Sequence, residues 1–180
     1  MTSYTPGQLD FPSDHFPIVV RLGDENGIGI ASFNALNESY KHYIHGNQGL
    51  KDSKLDKMTE NERYDLIVDI VNEAFSNGVG IFALQEVSNH LLARFYTIKT
   101  GIIISTPNMD GKGIDNGCVL LNPNMVQLKG DIVTSAYSDG NKLDNYIQQI
   151  PLCLSSDPTI VFTLINTHVK FGKIKQLISV

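Results

Sequence analysis

The sequence predicts an α/β sandwich built from mainly antiparallel or mixed sheets. Three observations carry that class. Short apolar runs of strand length recur along the whole chain, turn formers separate them, and helical periodicity is confined to one or two segments. Residues 17–22 form the first strand candidate and residues 28–33 the second. "GDENG" at 23–27 is rich in turn formers, so the two strands read as an antiparallel hairpin. Residues 37–57 are polar and irregular, with Gly46 and Gly49, and read as a long surface loop. Thr59 and Glu62 have the spacing of a capping box. Behind them Leu66, Ile67, Ile70, Val71, Ala74 and Phe75 line one helical face, and Gly78 ends the helix.

A buried strand follows at 79–84, then a short helix after Ser88 carrying Leu91, Leu92 and Phe95. Further strands are expected at 101–105, 117–121, 126–137 and 159–165, and a helix-like pattern begins at 173–180. No internal repeat interrupts this order.

A chain of 180 residues suits a single domain, residues 1–180. With 42% hydrophobic and 18% charged residues it reads as globular, not disordered. No apolar run approaches the roughly 18 residues of a membrane span. No basic stretch precedes an apolar one near Asp10 and Asp14, so no secretory signal is read. Cys118 and Cys153 lie in apolar segments as expected buried thiols, which favours a reducing, cytoplasmic location. The net charge of −5 argues against a broad basic face for gripping duplex DNA. It leaves nucleotides and phosphorylated molecules open, because bound cations bring their own charge.

Three apolar strands end on polar residues. The first ends on Asn34, the second on Gln85 and Glu86, the third on Asn166, Thr167 and His168. Each alone reads as a core strand emerging into solvent. Together an amide, a carboxylate and an imidazole suit one rim of a sheet and one chemistry. Attack of water on a phosphodiester requires its charge to be neutralised. Mg²⁺, with Mn²⁺ as the alternative, takes carboxylate and amide oxygens and keeps several waters. Glu86 is then the expected metal ligand, Asn34 a secondary one, and His168 a donor to a phosphate oxygen. A second histidine held by a carboxylate would take a proton from the attacking water. "SDH" at 13–15 offers Asp14 and His15 for that work; the partner of His15 stays open. Ser13 is read as a cap on the Asp-His turn. His42 and His45 are read as exposed loop residues, His90 as a helix residue without a sharper role, and Lys112 as part of a glycine-rich turn.

These residues make the chain resemble the endonuclease/exonuclease/phosphatase family, which includes deoxyribonuclease I, abasic-site endonucleases, inositol-polyphosphate phosphatases, sphingomyelinases and poly(A) deadenylases. "ASFNALNESY" resembles its first strand motif, with Asn34 at the motif asparagine. "FALQEV" resembles its LQE motif, with Glu86 at the metal-binding glutamate. "DNGCVLL" is similar to its middle strand. "INTHV" resembles its NTH motif, with His168 at the phosphate-contacting histidine. "SDHFP" resembles its terminal motif, with His15 at the general base and Asp14 beside it. The wording of the motifs is most similar to the deadenylase-like branch. The resemblance implies a deoxyribonuclease I-like, four-layer α/β sandwich and a metal-dependent phosphoesterase acting on phosphodiesters, in RNA, DNA or a related substrate. Phosphoinositides or sphingolipids are the alternative.

Two departures qualify the match. SDH stands first here although it closes the family's domain, which implies circular permutation through the hairpin at 23–27, with residues 1–22 as the family's closing strand. The family's GD-x-N motif does not follow His168. "KLDNYI" at 142–147 is superficially similar but precedes NTH, and is read as coincidence. The expectation is therefore a C-terminally incomplete domain, a site completed by a second chain, or a catalytically incomplete remnant that binds without turnover.

Overall fold

The computed structural model describes residues 12–13, 15–23, 27–40, 54–98, 101–106, 116–137 and 145–168. The strands in chain order are β1 (Ile18–Leu22), β2 (Ile28–Asn34), β3 (Val79–Val87), β4 (Ile102–Ser105), β5 (Asn116–Leu121), β6 (Val126–Leu128), β7 (Val133–Tyr137), β8 (Asn145–Leu154) and β9 (Val161–His168). The α-helices are α1 (Lys54–Lys57), α2 (Glu60–Ser76) and α3 (Asn89–Ile98), with a 3₁₀ turn at Glu38–Tyr40.

Five strands form the first sheet in the order β1-β2-β3-β5-β4. The predicted hairpin is present: β1 runs antiparallel to β2, with Ile18 opposite Ser32 and Leu22 opposite Ile28. β2 and β3 run parallel. That pairing needs a crossover, and α2 lies within it. The capping box forms at its start: Thr59 Oγ1 accepts the Glu62 N–H at 3.3 Å, and the Thr59 N–H donates to Glu62 Oε2 at 2.8 Å. In the second sheet β8 pairs with β9 and, along its length, with β6 and then β7, all antiparallel.

Alternation along the strands fills two cores. Ala31, Phe33, Phe82 and Leu84 face α2 and α3, meeting Tyr64, Ile67, Val71, Leu91 and Phe95. Ile28, Ile81, Ala83, Val119 and Leu121 face the second sheet, meeting Ile150, Leu152, Phe162 and Leu164. The layers are thus helices, first sheet, second sheet. Val133, Val161 and Ile165 on the outer face of the second sheet are more than half exposed. Among the described residues no helix is long and apolar enough to cross a membrane.

Several expectations change. The strand expected over 126–137 is two strands: β6 ends at Leu128, the Lys129 N–H still donates to the Pro151 carbonyl at 2.9 Å, and β7 starts at Val133. β8 was not expected, yet it is the central strand of its sheet. Gln148, Gln149 and Pro151 hide its alternation, because Gln148 is fully buried and behaves as an inward residue beside Ile150 and Leu152. Residues 145–147 of the "KLDNYI" segment open that strand. The stretch 37–57 is not all surface loop: Asn37 and Leu55 are buried. Both cysteines are free and buried, as expected, and burial pushes the Cys118 thiol up to about 12. Asp14, His42, His45, Lys112 and residues 173–180 lie outside the described residues.

Candidate functional site

The polar ends of β2, β3 and β9 meet at one rim, in the space between the two sheets. Parity explains how. On β2, Ile28 and Ile30 face the second sheet, and Ser32 and Asn34 continue that face. On β3, Ile81 and Ala83 do the same, which places Gln85 on it. On β9, Phe162 and Leu164 point inward, and Asn166 and His168 continue the row. Because β2 and β3 are parallel, with Asn34 opposite Gln85, both strands deliver their polar ends to the same edge.

Glu86 breaks the pattern. Strict alternation would aim it toward the helices, with Phe82 and Leu84. The register slips between Leu84 and Val87, and Glu86 takes a left-handed backbone (φ +55°). A bulge of this kind re-aims a side chain, and a non-glycine residue at such a φ costs about 1–3 kcal/mol. Gln85 and Glu86 consequently both reach β9: Gln85 Nε2 donates to Asn166 Oδ1 at 3.4 Å, and Glu86 Oε1 lies 3.4 Å from His168 Nε2.

The Glu86 and His168 side chains are 15% and 16% exposed, so the pair is largely removed from water but still reachable. Burial alone would raise the Glu86 carboxyl. Hydrogen bonds from His168 and Asn34, the His168 charge and the Asn37 N–H outweigh it and hold the carboxyl below its ordinary value of 4.5. Asn34 is oriented for this contact, because the Leu36 N–H donates to its Oδ1 at 2.9 Å and leaves its NH₂ for Glu86. Leu36 itself takes a left-handed backbone, φ +54°, and turns the chain that follows.

The "SDH" segment is tied to the same rim. Ser13 Oγ donates to the Asn34 carbonyl at 2.8 Å and accepts the His15 N–H at 3.2 Å, the expected capping role. Buried Arg63 reinforces the tie: its guanidinium donates to the carbonyls of Pro12 at 3.1 Å and Ala35 at 2.6 Å. The His15 side chain is exposed. Sequence reading placed Asn34, Glu86 and His168 correctly at strand ends, and the structure brings those three together. It missed two buried amides, Asn166 as the partner of Gln85 and Gln148 as the partner of Asn166; an amide within two residues of Glu86 and of His168 was the available signal for Asn166, and nothing marked Gln148. His90, set aside above, pairs through Nδ1 with Glu38 Oε1 at 2.9 Å on the exposed side of α3. Among the described residues no group of three or more His, Cys, Asp or Glu gathers as a metal cage.

No protein-family model and no curated protein matches the chain. Solved structures do. An endonuclease/exonuclease/phosphatase family protein from Bacteroides thetaiotaomicron is similar with a TM-score of 0.59 and 16% identity, over 88% of this chain and 54% of its own. TDP2 of D. rerio, complexed with single strand DNA product, is similar with a TM-score of 0.57 and 13% identity, over 83% of this chain and 51% of its own. The human Nocturnin catalytic domain with bound sulfate anion is similar with a TM-score of 0.56 and 17% identity, over 87% of this chain and 56% of its own. The chain therefore has the endonuclease/exonuclease/phosphatase fold, the deoxyribonuclease I-like sandwich, and spans about half the length of these structures.

Proposed function

We propose that this chain is a metal-dependent phosphoesterase that hydrolyses phosphodiester bonds in a nucleic acid or a related substrate. The observation that carries the reading is the meeting of Glu86, Asn34 and His168 at one rim, with the Glu86 carboxyl held ionised in a largely buried place. The fold, and a neighbour whose structure holds a single-stranded DNA product, support it.

The donor set fits a hard divalent cation. One carboxylate with several waters is a usual shell for Mg²⁺, and Mn²⁺ accepts the same donors. Glu86 would hold the ion, with Asn34 fixing the carboxylate and offering its remaining oxygen lone pair as the secondary contact. When bound, such an ion neutralises charge on the phosphate and activates water. His168 would donate to a non-bridging phosphate oxygen and stabilise the charge that builds there. His15, with Asp14 beside it in sequence, would take the proton of the attacking water. The hairpin of β1 and β2 would then do the work of a permuted closing strand. Its anchoring through Ser13 and Arg63 supports that arrangement.

The test is hydrolysis of bis(p-nitrophenyl) phosphate with Mg²⁺ or Mn²⁺. Glu86→Gln removes the charge and keeps the shape, and is expected to lower kcat by at least about 10²-fold. Activity equal to wild type would end the assignment of Glu86. Comparison of oligonucleotides with lipid head groups then separates a nuclease from a lipid phosphoesterase.

A second reading is a binding module or remnant without turnover unless a second chain completes the site. The Glu86 carboxylate already accepts from His168, Asn34 and the Asn37 N–H, which favours it. It expects the wild-type chain to match the uncatalysed background on every phosphodiester offered.

A further inference from the structure

Below the rim lies a chain of three amides that spans both sheets. Gln85 Nε2 on β3 donates to Asn166 Oδ1 on β9 at 3.4 Å, and Asn166 Nδ2 donates to Gln148 Oε1 on β8, also at 3.4 Å. Asn166 and Gln148 stand directly opposite each other in the β8–β9 ladder, two pairs below His168 and Tyr146. Asn166 is 3% exposed and Gln148 fully buried. An amide can be built either way round, but the direction here is fixed from one end. Gln85 Nε2 also lies 3.4 Å from the Ala83 carbonyl, which accepts and cannot donate. Turning Gln85 over would set oxygen against oxygen. With Gln85 fixed as donor, Asn166 must present its oxygen, and Gln148 must present its own to Asn166. The end of the chain is then the Gln148 NH₂, buried and with no partner among the described residues. An apolar residue of the same shape would spare that cost, so the amide needs a reason beyond packing.

We propose that Gln148 is a positioning residue. By accepting from Asn166 it locks Asn166 to Gln85, pins β9 to β3, and so sets the distance between Glu86 and His168. Two of its three members are each two residues or fewer from the pair: Gln85 precedes Glu86, and Asn166 lies two before His168 on the same inward face. Long hydrogen bonds in a dry site still impose orientation, because no water competes for the partners. The kinetic consequence rests on the phosphoesterase reading above; the geometric one does not.

The variants are Gln148→Met, which keeps the shape and removes the acceptor, and Gln148→Glu, which keeps an acceptor oxygen. Gln149→Met on the exposed side of the same strand is the control. The readouts at one fixed pH are the Asn166 side-chain amide and His168 ring resonances by NMR, followed by kcat and KM on bis(p-nitrophenyl) phosphate. In Gln148→Met both sets of resonances are expected to move or double, and kcat to fall about tenfold with KM nearly unchanged, the scale of lost outer support in such sites. Gln148→Glu is expected to restore the His168 resonance, and Gln149→Met to leave everything in place. A Gln148→Met protein with wild-type Asn166 and His168 resonances overturns the proposal, whatever its melting temperature. Should that variant not fold, Gln148→Glu decides: a displaced His168 resonance there overturns it, and a wild-type one supports it. If the wild-type chain turns over no phosphodiester, the function reading falls while the resonances still decide this one.

Discussion

β3 and β9 each carry one half of the central pair, but they are built differently. β3 lies in the middle of the first sheet, with a core on each face; Val79 to Leu84 are all buried. β9 pairs on one side with β8 and alternates, its outward residues Val161 and Ile165 more than half exposed. Glu86 is therefore held from a strand with little freedom to shift, whereas His168 comes from a strand covered on one face. The difference teaches where precision has to come from. On β3 packing supplies it. On β9 it must come from specific polar contacts: the amide relay, and the Thr167 hydroxyl that donates to the Tyr146 carbonyl at 2.6 Å.

The comparison can be broken most forcefully at β3. Leu84→Ala empties a site packed on all sides and is expected to cost about 2–5 kcal/mol in chemical denaturation. A loss no larger than that of an exposed residue would contradict the rigid-strand account. The next test is Gly117→Ala on β5. A Cβ there would fall 2.3 Å from the Tyr146 ring, beside the residue opposite His168. Overpacking of this kind costs typically about 1–3 kcal/mol and is expected to disturb β8 and β9 more than β3. Amide exchange would show it, through faster exchange in the second sheet than in the first.

A pH series sharpens the link between the strands. The Glu86 carboxyl is lowered in the folded chain, so its contribution is fully present above the ordinary value of 4.5 and is lost as the pH falls through the folded value. In chelator, the stability advantage of wild type over Glu86→Gln should be constant near neutrality and shrink as the solution is acidified below that value. A gap independent of pH would mean that Glu86 is not held ionised. The smallest effect is expected on the outer face of β9: Ile165→Ala should stay within about 0.5 kcal/mol of wild type by thermal denaturation.

Much of this was legible in the sequence, for physical reasons that can be named. The β1–β2 hairpin, α2 with its capping box, and β3 follow from local periodicity and turn residues. Asn34, Glu86 and His168 stood out because each ends an apolar strand on a group with useful chemistry. β8 was not legible: a buried glutamine has the same letter as an exposed one, and what lets Gln148 stay inside is Asn166, eighteen residues away. The aim of Glu86 was not legible either. Alternation points it at the helices, and the bulge that turns it toward His168 uses a left-handed glutamate where a glycine would have signalled the turn. The split of 126–137 into two strands shows only in the pairing, where β6 and β7 take different parts of β8, which no local window contains.

The most direct test of the central claim is a calorimetric titration of Mn²⁺ into the wild-type chain and into Glu86→Gln. The account predicts saturable binding to wild type and at least about tenfold weaker binding to the variant, the scale seen when a site loses support for its metal. Equal binding by the two proteins would contradict it.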